Sequence, residues 1–195
     1  MKYIVLTTVA GIAFFTACNS GNNQSKTSSD NTQAVSAAHD STPAVASSQT
    51  SPSPVREIVG GYLKMKDALA SDDDKGAATA GDEIVVAFQK FDKSSLTAEQ
   101  KKTYEDVEND AREHAEHIGK SVGNIKHQRE HFDMLSKDMY DLVKTFGAGQ
   151  KLYYDHCPMY NNNKGADWIS ETKEISNPYL GKQMSSCGTV KEELK

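Results

Sequence analysis

The sequence predicts a mainly α fold: an antiparallel four-helix bundle followed by an irregular C-terminal tail containing short extended segments. Three observations predict it. Apolar residues recur at helical spacing in four separate stretches between Val55 and Gly149. The breaks between those stretches are short and carry capping residues and glycines, which sets successive helices antiparallel. Past Gly149 the helical period stops, and aromatic residues stand among turn-forming ones instead.

Two segments precede the bundle. Lys2 is followed by an apolar run from Tyr3 to Phe15 and then by Thr16-Ala17-Cys18. A run this short, ending in small residues, reads as a secretory signal rather than a mature membrane span. Small residues directly before a cysteine resemble the lipobox of bacterial lipoproteins, which makes residues 1–17 a signal peptide and Cys18 the lipidated new N-terminus. Ordinary signal cleavage that leaves Cys18 free is the alternative. The lipoprotein reading places the chain in the periplasm or cell envelope, facing an oxidising compartment, with a membrane as its first partner through the lipid anchor. From Asn19 to Pro54, 36 residues hold 21 Ser, Thr, Asn or Gln and only three charges, Lys26, Asp30 and Asp40. Such a composition buries too little apolar surface to offset the entropy of ordering, so residues 18–54 read as a flexible tether stiffened by Pro43, Pro52 and Pro54.

The remaining 141 residues, Val55 to Lys195, fit one domain. Ile58, Tyr62, Met65 and Leu69 form the first stripe, ending at Asp72-Asp73-Asp74, which reads as a helix terminus and turn with a solvated charge run. Ile84, Val85, Phe88 and Phe91 form the second. Thr97 followed by Gln100 has capping-box spacing and opens a third helix, with Tyr104, Val107, Ala111, Ala115, Ile118 and Val122 facing inward. The fourth stripe is Ile125, Phe132, Leu135, Met139, Leu142 and Phe146, with Gly119 and Gly123 marking the turn before it and Gly147-Ala148-Gly149 its end. In the tail, Asn161-Asn162-Asn163-Lys164-Gly165 reads as a turn between two extended segments.

Composition narrows the function. With 22 basic against 27 acidic residues and a formal net charge of −5, the chain is not a strongly basic nucleic-acid binder. No G-x-S-x-G, phosphate-binding glycine loop or H-E-x-x-H is present, so no catalysed reaction is expected. The chemistry concentrates in residues 151–190, where Asp155-His156-Cys157-Pro158-Met159 and Gln183-Met184-Ser185-Ser186-Cys187-Gly188 each present one thiol and one thioether. Soft, polarisable sulfur suits monovalent copper or silver, Cu(I) or Ag(I), better than hard cations, and zinc prefers His or Cys to Met. Cys157, Met159, Met184 and Cys187 are therefore candidate metal ligands, with His156 as an additional ligand or base. The competing reading is a structural Cys157–Cys187 disulfide, with Met159 and Met184 as packing residues; unpaired thiols are a third.

These same residues carry a resemblance. Tyr154 to Met159, Gly165 to Ser170, Ile175 to Gly181, Met184 and Cys187-Gly188, together with Gln128-Arg129-Glu130, Phe132 and Leu135-Ser136, resemble the domain-of-unknown-function family 3347 over about the whole globular part. The resemblance implies a helical domain of bacterial envelope lipoproteins, also found at the end of some copper/silver efflux adaptor proteins. It favours heavy-metal handling, with Cys157, Met159, Met184 and Cys187 as the candidate positions and a heavy-metal efflux assembly as a candidate partner, and it does not imply a catalysed reaction.

Four histidines stand apart from the tail. His114 and His117 lie three apart on the third helix, and His127 and His131 four apart on the fourth, so each pair shares a face. Their neighbours Glu113, Glu116, Lys126 and Glu130 favour a solvated face; the alternative is an imidazole site for Cu(II), Zn or Ni across the hairpin. Two functions from different classes result: a lipid-anchored protein that binds Cu(I) or Ag(I) for homeostasis or efflux, and a non-catalytic envelope interaction module stapled by a disulfide.

Overall fold

In the computed structural model, which describes residues 53–195, the four apolar stripes form four long helices: α1 (Arg56–Ala70), α2 (Asp74–Lys90), α3 (Ala98–Lys120) and α4 (Ile125–Phe146). The signal segment, Cys18 and the tether up to residue 52 lie outside the described residues. Ser53, expected at the end of the tether, is buried and donates its hydroxyl to the Gly147 carbonyl at 2.5 Å. Among the described residues, no helix is long and apolar enough to cross a membrane.

Local chemistry accounts for the helix ends. Asp73 caps α2 by accepting from the Gly76 N–H, and Asn124 caps α4 by accepting from the His127 N–H. Thr97 and Gln100 complete the expected capping box on α3. The fully buried side chains include Ile58, Tyr62, Leu69, Ile84, Tyr104, Ile118, Phe132 and Leu135, which are the stripes read from the sequence. Val122 departs from expectation: it is 53% exposed, because α3 ends at Lys120 and Val122 sits in the turn. Gly119 is not in that turn either. It lies within α3 where α2 approaches so closely that a Cβ would fall 2.8 Å from Asp82 Oδ1, and Gly81 of α2 faces the Ala115 carbonyl in the same way.

The tail is more ordered than its sequence suggests. Strand β1 (Leu152–Cys157) is the centre of a three-stranded antiparallel sheet, flanked by β2 (Ala166–Ser170) and β3 (Thr189–Leu194) in the order β2-β1-β3. The expected turn joins β1 to β2, with Asn161, Asn162 and Asn163 all at positive φ, a conformation asparagine tolerates. Strand β2 packs on α4 and α1, whose mutual contact is slight, so the tail completes the bundle where it is open. Trp168 and Ile169 of β2 are fully buried there, and the Ile169 N–H donates to Tyr62 Oη of α1 at 3.1 Å.

Candidate metal centre

Cys157 ends β1, and Cys187 lies two residues before β3 begins. The strand pairing that sets β1 against β3 brings the 30-residue loop between them to closure, with the two Sγ atoms 3.4 Å apart and both thiols free. Cys157 is fully buried, while Cys187 is only partly buried. At a metal–sulfur distance of about 2.3 Å, as for zinc, two thiolates on one ion sit about 3.8 Å apart in a tetrahedral shell and about 4.6 Å apart in a linear one. From 3.4 Å the pair reaches a shared ion by opening about 0.4 Å for a tetrahedral shell and about 1.2 Å for a linear one.

Three contacts hold Cys187 in place. Its carbonyl accepts from Asn177 Nδ2 at 2.6 Å, its N–H donates to the Met184 carbonyl at 3.1 Å, and the Met159 backbone N–H lies against its sulfur. Gly188, at φ +151°, lets the chain pass Trp168, whose Cη2 would be 2.8 Å from any Cβ there. Burial raises the Cys187 thiol above its ordinary pKa, the contact with Cys157 adds to this, and the Met159 N–H opposes it. Both thiols of such a pair are in place, but the outer one carries its proton at neutral pH.

The thioethers do not pack into the core. Met159 is 48% and Met184 38% exposed, and they mark the two ends of the loop that the thiols close. His156 belongs to the other side of the strand, since consecutive residues of β1 alternate between faces. Its Nδ1 pairs with Asp167 Oδ1 at 2.7 Å across the β1–β2 ladder, and its ring rests against Gly165, where a side chain would collide with it. Lys191 Nζ also reaches Asp167, at 3.3 Å. His156 is thus committed to a cross-strand pair rather than turned toward the sulfurs.

Asn177 and Arg129, both within the stretches that carry the family resemblance, position this loop through contacts that the sequence does not spell out. Asn177 is fully buried, and its Oδ1 accepts from the N–H groups of Tyr179 and Leu180 while its Nδ2 holds Cys187. Arg129 of α4 donates to the Pro178 carbonyl, the Leu69 carbonyl and Asp72, tying loop, α1 and α4 together. Tyr179 donates to the Asp167 carbonyl at 2.5 Å. The Asn-Pro-Tyr sequence, an asparagine before proline, is the signal by which an Asx-type turn is recognised. The expected solvated charge run also has partners: Asp72 pairs with Arg129 and accepts from the Lys182 N–H, and Asp74 accepts from the Gly123 N–H.

The helical histidines are not a simple solvated face. His114 Nδ1 lies 3.2 Å from His131 Nδ1, and the rings of His117 and His131 stack with centroids 4.4 Å apart. Two clefts of about 530 and 510 Å³, one between α1 and α2 and one beside Tyr160 and Arg129, include neither the thiols nor these imidazoles.

Residues 58–151 match the model of a family described as "Protein of unknown function (DUF3347)". The matched residues span the four helices and end at Lys151, so the sulfur motif of the tail lies beyond them. No curated protein and no solved structure matches the chain.

Proposed function

We propose, for this member of the DUF3347 family, that it binds a monovalent soft ion, Cu(I) or Ag(I), between Cys157 and Cys187. The observation that carries this reading is the approach of the Cys157 and Cys187 sulfurs to 3.4 Å at the edge of the core. Thiolate pairs of this kind select soft ions by polarisability, and the exposed Met159 and Met184 are available as further sulfur donors. Their exposure also argues against the alternative in which both are packing residues behind a structural disulfide. A protonated outer thiol is a poor redox nucleophile but a normal metal ligand, because the ion displaces the proton on binding. The site would then sit in the cell envelope, carried on a lipid at Cys18, where bound ion can be buffered or passed to an efflux assembly.

The disulfide reading keeps one specific support, since two thiols this close oxidise readily in an oxidising compartment. Thiol counting on freshly isolated protein, followed by Cu(I) titration against a competing chelator, separates the two. The metal reading predicts two reactive thiols and one tightly bound Cu(I), lost in Cys157→Ser/Cys187→Ser. No free thiols, together with no competitive binding after reduction and a lowered melting temperature, would establish the staple instead.

A further inference from the structure

The four helical histidines meet at the closed end of the α3–α4 hairpin. One ring nitrogen from each of His117, His127 and His131 lies within 4.8 Å of the other two. The cause is local. His117 is on the last turn of α3 and His127 on the first turn of α4, so a connection of four residues, Ser121 to Asn124, places them across from each other, and His131 follows one turn later on the same face. The connection is braced rather than loose: Ser121 Oγ donates to the His117 carbonyl at 2.6 Å, the Gly123 N–H to Asp74 Oδ2 at 2.5 Å, and Gln128 Nε2 to the carbonyls of Asp74 and Ile118. Gly123 supplies the positive φ, +85°, that so short a turn requires.

We propose that His117, His127 and His131 form a second metal site, for a borderline divalent ion of the Zn(II), Ni(II) or Cu(II) class. Three nitrogens at a metal–nitrogen distance of about 2.0–2.1 Å lie about 3.4 Å apart in a tetrahedral shell, so the rings close on an ion by movements of about 1 Å. Three protein ligands leave the fourth position to water or to an incoming group, which makes the site an exchangeable one. His114 is a positioning residue: its Nδ1 contacts His131 Nδ1 at 3.2 Å and so fixes which ring nitrogen of His131 is free to bind. His131 is half-buried with the rings of His114, His117 and His127 packed around it. Glu113 stands 3.7 Å from His117 Nε2 and Glu130 3.4 Å from His127 Nδ1, adding negative charge beside the ion without closing the shell.

This site depends on none of the sulfur chemistry, and its test removes that chemistry first. Calorimetric titration of the Cys157→Ser/Cys187→Ser protein with Zn(II) is expected to show one equivalent bound. His131→Ala should weaken it by 100-fold or more, and His114→Ala by about 10-fold, as for a group acting on a ligand from outside. Because His131 is partly buried, imidazole ring-nitrogen NMR of the unsubstituted-histidine protein provides a second measurement. Zn(II) should shift the rings of His117, His127 and His131 and leave His156 unmoved. No zinc bound by the thiol-free protein, equal affinity in His131→Ala, or shifts confined to other histidines would overturn the proposal.

Discussion

The thiol pair and the imidazole cluster are built by different levels of the structure. Cys157 and Cys187 meet only because a sheet forms, a loop is pinned by Asn177 and Arg129, and the tail docks in the gap between α1 and α4. The histidines meet because two helices and one short turn put them on facing surfaces, with no contribution from the tail. The first pair is soft and joins a buried thiol to a half-buried one, whereas the second cluster is half-exposed and nitrogenous. The two clusters rest on different parts of the fold, so a disturbance of one should leave the other intact.

The largest expected separation comes from the ligands. Cys157→Ser/Cys187→Ser should lower Cu(I) affinity by about two orders of magnitude or more, since the soft donors are removed outright, while Zn(II) binding at the hairpin stays unchanged; parallel titrations check both. Next comes the scaffold of the tail. Asn177→Ala removes an acceptor for two N–H groups and the donor to the Cys187 carbonyl, all at a fully buried position. It should cost about 2–3 kcal/mol in chemical denaturation and loosen Cu(I) without touching the imidazoles.

A third prediction concerns the α3–α4 groove beyond the histidines. Asp138 is pushed up to about 7, first by burial and then by Asp110 and Asp141. A carboxyl whose folded pKa is raised stabilises the fold below the unfolded value, near 4, and that contribution disappears as pH rises through about 7. Asp138→Asn should therefore match the parent near pH 4 and exceed it near pH 8 by about 1–3 kcal/mol, read from melting at both. The smallest effect belongs to the capping box. Thr97→Ala should cost about 1 kcal/mol and alter neither metal affinity, because the N-terminus of α3 lies at the opposite end from His117.

The two regions also differ in how far they were legible in the sequence. The helices were readable because Ile58, Tyr62, Met65 and Leu69 repeat at 3.6 residues and Thr97 with Gln100 announces a start. Gly119 was misleading, since a glycine that admits a neighbouring helix looks the same in sequence as one that makes a turn. Strand β3 was hidden: Thr-Val-Lys-Glu-Glu-Leu has too little apolar alternation to register, because it is an edge strand held partly by Lys144–Glu192 and Lys151–Glu193 pairs. The approach of Cys157 to Cys187 was expected from the mirrored sulfur pairs, whereas the turn of His156 toward Asp167 follows from strand alternation that an irregular tail would not impose. Histidines among glutamates read as solvated because a polar face against another polar face has the same pattern as one against water.

The most direct test of the soft-metal reading is the donor set around the bound ion. X-ray absorption at the copper edge, on reduced protein loaded with one equivalent of Cu(I), should show sulfur neighbours from Cys157 and Cys187 and lose them in the serine variant. A shell of nitrogen neighbours, the same in parent and variant, would contradict it.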